Sequence, residues 1–144
     1  MARTKAIIIG ASGRDFHNFN MLFHDNKDYE IVCFTHAQLP VKSSIYPKEL
    51  SGKLYPKGIP IYKEENLEKI IKKNKVDLVF LSYSDLSHNQ LMNIASRALA
   101  SGSSFALISP EMTMLNSKKP VIAVCATRTG AGKSPMTEYI SLFF

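Results

Sequence analysis

Ile7-Ile8-Ile9-Gly10-Ala11-Ser12-Gly13-Arg14-Asp15-Phe16 runs from a wholly apolar segment through a glycine turn into the start of a helix. Residues 6–9 are apolar at every position rather than at alternate ones. That is the pattern of a parallel strand covered on both faces. The same pattern recurs at residues 31–34, 78–81, 105–108 and 121–124, each run bounded by polar or glycine residues. Helical spacing fills the intervals. Phe16, Phe19 and Phe23 share a face within residues 15–24, and Leu67, Ile70 and Ile71 share one within 64–74. Leu91, Ala95, Ala98 and Leu99 do so within 87–100, where Ser87 is placed to cap the helix and Gly102 follows its end. Strands alternating with helices imply right-handed crossovers. The predicted fold is α/β: a Rossmann-like, doubly wound parallel sheet in three layers.

Working outward, residues 35–61 break the rhythm. They hold Pro40, Pro47, Pro56 and Pro60 and two Tyr-Pro-Lys triplets, without clear periodicity. So long an irregular stretch in a compact domain suits an ordered loop near a ligand, or a surface excursion held down by its tyrosines and by Ile45, Leu50 and Leu54. A second break, Asn116-Ser117-Lys118-Lys119-Pro120, reads as a linker. It divides a Rossmann-like domain over residues 1–117 from the start of a second unit over 118–144.

That second unit carries the clearest chemistry. The apolar run 121–124 leads into Thr127-Arg128-Thr129-Gly130-Ala131-Gly132-Lys133-Ser134 and a further helix. Strand, loop and helix are the setting of a Walker A motif, in which backbone N–H groups and the helix N-terminus cradle phosphate oxygens. Gly130 and Gly132 let the backbone approach those oxygens. Lys133 is placed to neutralise the β- and γ-phosphates, and Ser134 to set its hydroxyl on a nucleotide-bound Mg²⁺. Arg128, Thr129 and Ala131 complete the nucleotide-binding set, and the consensus first glycine is Thr127. Only ten residues follow Ser134, too few for an acidic Walker B strand or a base pocket. The loop therefore reads as part of a larger nucleotide-dependent enzyme, with no hydrolysis expected of this chain alone.

The opening turn supplies a second candidate. In a doubly wound sheet, ligands bind at the carboxyl ends of the strands. Gly10, Ser12, Gly13, Arg14, Asp15, His17 and Asn18 lie there after the first strand, Thr35 and His36 after the second. Tyr83, Ser84, Asp85 and His88 follow the third, and Ser109 the fourth. Arg14 and His17 could hold an anionic substrate, with Asp15 or Asp85 orienting them or acting as base. The alternative role of Asp15 and Ser87 is helix capping. The dinucleotide fingerprint is incomplete, because Ser12 stands at the second glycine, and an NAD(P)-dependent oxidoreductase is disfavoured.

Bulk properties narrow the partners. The net charge of +6 suits phosphorylated metabolites and nucleotides. The lysines are scattered over residues 42–75 and 118–119 without interleaved aromatics, so nucleic acid is not expected. No apolar run nears the roughly 18 residues of a membrane span, and the run after Met1-Ala2-Arg3-Thr4-Lys5 is too short for a secretory signal. A cytoplasmic protein is expected. Cys33 and Cys125 both fall within or beside apolar runs and read as buried thiols, not as a disulfide or a zinc site. The apolar tail at 139–144 invites self-association into a homo-oligomer.

Taken in order, these motifs resemble a known family. Gly10-Ala11-Ser12-Gly13-Arg14-Asp15-Phe16-His17-Asn18-Phe19-Asn20, Tyr55-Pro56-Lys57-Gly58-Ile59-Pro60-Ile61, Tyr83-Ser84-Asp85 and Arg128-Thr129-Gly130-Ala131-Gly132-Lys133-Ser134 are similar to the archaeal cyclic 2,3-diphosphoglycerate synthetase family. The resemblance implies an ATP- and Mg²⁺-dependent ligase that closes 2,3-bisphosphoglycerate into its cyclic diphosphate. In that family the P-loop domain follows the Rossmann-like domain, so this chain corresponds to its N-terminal portion. The reading from another class is a stand-alone, non-catalytic module that binds a nucleotide or phosphometabolite.

Overall fold

The computed structural model describes residues 2–37, 44–82, 86–126 and 130–143. The chain divides into two compact units, Met1–Met114 and Leu115–Phe144.

The first unit begins with β1 (Thr4–Ile9), α1 (Gly13–Leu22) and β2 (Tyr29–His36). β3 (Ile45–Tyr46), the single turn α2 (Lys48–Ser51) and β4 (Ile59–Lys63) come next. A 3-10 turn at Glu64–Asn66 leads into α3 (Leu67–Asn74), then β5 (Leu78–Leu81), α4 (His88–Ala100) and β6 (Ser104–Leu107). The six strands lie in the order β3-β4-β2-β1-β5-β6. All pair in parallel except β3, which runs antiparallel to β4. The direction of winding reverses at β1, as the doubly wound prediction requires.

β1 explains itself. Ala6, Ile7, Ile8 and Ile9 are each fully buried, because helices cover both faces of the sheet. Ile8, Phe34 and Phe80 point to one side, against Phe19 of α1, its C-cap Phe23, and Tyr46 and Tyr55. Ile7, Ile9, Cys33, Val79 and Leu81 point to the other, against Leu67 and Ile71 of α3 and Ile94 and Ala98 of α4. The phenylalanine face read from the spacing of α1 is the one that is buried. Phe16 sits at its edge, stacked on Tyr46 with ring centroids 4.5 Å apart.

The segment expected to be irregular contains β3, α2 and the start of β4. β4 enters between β3 and β2, pairing in parallel with β2 from Ile61 to Lys63. Pro60 lies one residue before that ladder, so its missing N–H removes no bond to β2. Tyr46 and Tyr55 are buried as the excursion reading requires, whereas Ile45 and Leu50 are exposed. Tyr55 has a structural task. Its hydroxyl oxygen accepts the N–H of Ile31 at 3.0 Å, below the point where β4 reaches β2.

The second unit differs from expectation. Among its described residues there is one helix, α5 (Lys133–Ser141), and no strand. Val121 and Ile122 are exposed, as is Cys125, which corrects the expected strand at 121–124 and the expected burial of that thiol. A strand must pair its backbone groups with a neighbour, and no described residue offers this run one. Cys33, by contrast, is fully buried in β2, and burial pushes its thiol up to about 12. Among the described residues no helix is long and apolar enough to cross a membrane.

Candidate functional site

The turn after β1 sits at the reversal point, where a crevice for ligands forms in this class of sheet. Its residues are drawn together first by capping. Ser12 is the N-cap of α1, and the carboxylate of Asp15 reaches back to accept from Ser12 N at 2.9 Å and Ser12 Oγ at 3.0 Å. Gly10, with φ of +122°, is pressed against that carboxylate. A Cβ at position 10 would stand 2.2 Å from Asp15 Cγ. Only glycine accommodates both the left-handed backbone and the contact. The glycine thus admits Asp15 rather than a ligand. Burial raises the Asp15 carboxyl above its ordinary value, while the bonds from Ser12 pull it back part of the way.

The remaining front residues divide in two. Gly13 and Arg14 are exposed in the first turn of α1, where the helix N-terminus favours an anion. His17 and Asn18 turn inward. His17 Nε2 lies 2.7 Å from the carbonyl oxygen of Thr113, which fixes the proton on that nitrogen. Asn18 is buried and donates from Nδ2 to Ser82 Oγ at 3.0 Å, tying α1 to the end of β5. Its Oδ1 finds no partner among the described residues. Tyr83, Ser84 and Asp85 lie outside the described residues, as do Thr127, Arg128 and Thr129.

In the second unit Gly130 and Gly132 both take left-handed backbone, with φ of +80° and +84°. Gly132 is the N-cap of α5, and Lys133 and Ser134 are its first two residues. No atom lies within 4 Å of a Cβ built on either glycine, so the space over both is open. Both glycines take a backbone conformation that other residues rarely adopt, just before or at the N-cap of a nine-residue helix, an arrangement able to receive an anion. Lys133 suits its charge, and the Ser134 hydroxyl suits Mg²⁺.

One further concavity lies between the Glu64–Asn66 turn and α4, with a volume of about 340 Å³. Sequence reasoning passed over it, because Glu64 and Arg97 meet only through the folding of two separated elements and no local pattern marks the pair. Among the described residues no group of three or more His, Cys, Asp or Glu side chains is placed to hold a metal ion.

Comparison with known proteins follows this geometry. Over 140 residues, 96% of its length, the chain is 51% identical to arginine synthetase ArcE of Thermococcus kodakarensis. It is similar to a synthetase. The chain spans about 31% of that relative's length. No family model matches the chain. Among solved structures, UDP-D-quinovosamine 4-dehydrogenase from Vibrio fischeri superposes with a TM-score of 0.57 at 23% identity, covering 75% of this chain and 80% of that one. RSP, a Rex-family repressor, superposes with a TM-score of 0.54 at 17% identity, covering 97% and 59%. RSP in complex with beta-NADH gives 0.53 at 16% identity, covering 97% and 60%. At such identities the likeness is one of fold, and the fold is Rossmann-like.

Proposed function

We propose that this chain is the front portion of a nucleotide-dependent synthetase of the arginine synthetase kind, with the phosphates of ATP held at residues 128–134. The observation that carries the reading is 51% identity to a named synthetase along 96% of the chain. The loop that ends in Gly132, Lys133 and Ser134 at the head of α5 supports it. Bound there, MgATP supplies an activated phosphoryl group. Lys133 neutralises phosphate charge and Ser134 orients the metal, so the chain's contribution is positioning and charge. The exposed Gly13 and Arg14 at the head of α1 are the groups for an anionic substrate.

The reaction class is what two lines of resemblance share. The motif string is similar to a ligase that forms a cyclic diphosphate, whereas the relative matched at 51% identity is named for arginine. The length of that match favours arginine. A non-catalytic module is the second reading, and the first unit, compact about its own core, favours it.

A chimera separates the two. This chain replaces the aligned third of the Thermococcus kodakarensis protein, and arginine formation is followed with MgATP. Activity is expected, with a loss of roughly a hundredfold or more in Lys133→Ala. A folded chimera no more active than its Lys133→Ala form contradicts the synthetase reading.

A further inference from the structure

The sheet has two edges, and they are built differently. β3 is two residues long and is followed by Pro47, so it offers little backbone to another chain. β6 is the other edge, and among the described residues no strand pairs with its outer side. The N–H of Ser104 donates to the Asp77 carbonyl, toward β5. Successive residues of a strand turn their N–H and C=O groups to opposite sides, so those of Phe105 and Leu107 point outward. Ser104-Phe105-Ala106-Leu107 contains no charge, proline or bulge, the usual guards of an open edge.

The helix beside that edge is equally unguarded. Met92 and Leu99, two turns apart on one flank of α4, are 57% and 59% exposed, and Leu107 is 60% exposed. Leu107 stands two residues after Phe105 and shares with it the face of the sheet that α4 covers. Arg97 lies on the opposite flank of α4, where its Nε donates to Glu68 Oε1 at 2.5 Å and its Nη2 to Glu68 Oε2 at 3.1 Å. Of the chain's 18 basic and 12 acidic residues, residues 86–117 hold only Arg97 and Glu111. Charge is depleted at the centre of interfaces, and methionine is enriched there. An open strand edge flanked by uncharged apolar side chains marks an interaction surface.

Charge and symmetry name the occupant. Two copies of a chain with net charge +6 repel, so they meet best through a face that brings no free charge to the contact. This edge is also complementary to itself. With two copies of β6 antiparallel about a two-fold axis at Ala106, Phe105 of each copy and Leu107 of the other exchange both backbone hydrogen bonds. Ala106, the smallest side chain of the strand, then faces its own copy where the strands approach most closely. We propose that β6 and the Met92–Leu99 flank of α4 bind a second copy of this chain, joining two six-stranded sheets into one. The 13 residues of α4 span about 20 Å, and a strip about 20 Å by 25 Å buries about 1,000 Å² in all, the lower limit for a specific interface. The dimer is therefore reversible.

The experiment is sedimentation velocity of the 144-residue chain over a concentration series. A shift from monomer to dimer is expected, with Kd on the order of 10–100 µM. Hydrogen exchange at the Phe105 and Leu107 amides should slow as the dimer forms. Leu107→Lys and Leu99→Lys each set a charge at an exposed position of this face, and each should weaken the dimer roughly tenfold or more without moving the melting temperature. Phe143→Lys, in the apolar tail, should leave the dimer intact. A chain that stays monomeric up to millimolar concentration overturns the proposal and gives the face to a different partner. A dimer that survives both substitutions on this face, or one that Phe143→Lys abolishes, overturns it as well, because association then runs through another surface.

Discussion

Asp15 shows how a residue type can carry two meanings until the fold decides between them. A carboxylate after Gly-Ala-Ser-Gly-Arg could cap the helix or orient a substrate, and the hydrogen bonds from Ser12 N and Oγ give it to the cap. Its burial, which raises the carboxyl from 3.8, has a consequence for stability. Between 3.8 and its higher folded value, the folded chain keeps a proton that the unfolded chain has released. Stability therefore falls as pH rises through that window. Asp15→Asn keeps an oxygen for Ser12 but cannot ionise. Urea denaturation from about pH 3.5 to about pH 7 should move the stability difference in the variant's favour as pH rises. A difference independent of pH would contradict this account. Asp15→Ala loses the carboxylate half of the capping box and should cost about 1–2 kcal/mol at the acid end of that range and less as pH rises.

At the scale of elements, Tyr55 stands in for a strand. β4 reaches β2 only from Phe34 onward, and the hydroxyl of Tyr55 takes the N–H of Ile31 that the ladder leaves open. Tyr55→Phe keeps the ring and orphans that N–H, so it should destabilise the fold by about 1–3 kcal/mol in thermal or urea unfolding. A loss within error of zero would mean that water serves Ile31 equally well. β1, β2, β5 and β6 were legible because each contains an unbroken apolar run of three or four residues. β4 was not, because Pro60 and its neighbours read as turn residues, and β3 is too short to leave a signal. The run 121–124 shows the opposite failure. Its composition is that of a buried strand, but composition supplies no partner, and Val121 remains 72% exposed.

At the scale of the molecule, the opening turn and the loop before α5 were both visible in sequence, since glycines at helix starts leave a local mark. What each side chain does there was less visible. Neither the bond from His17 to Thr113 nor the one from Asn18 to Ser82 follows from spacing, because each joins residues 64 or more positions apart. The cleft at Glu64 and Arg97 had no sequence signal for the same reason. The proposal that Lys133 and Ser134 meet a nucleotide phosphate rests on this loop, where left-handed Gly130 and Gly132 stand at the head of α5. The measurement that tests it most directly is titration of the chain with MgATP beside Lys133→Ala. Saturable binding with Kd on the order of 1 mM is expected, weakened roughly tenfold or more in the variant. Equal affinity of the two proteins, or no binding by either, would contradict it.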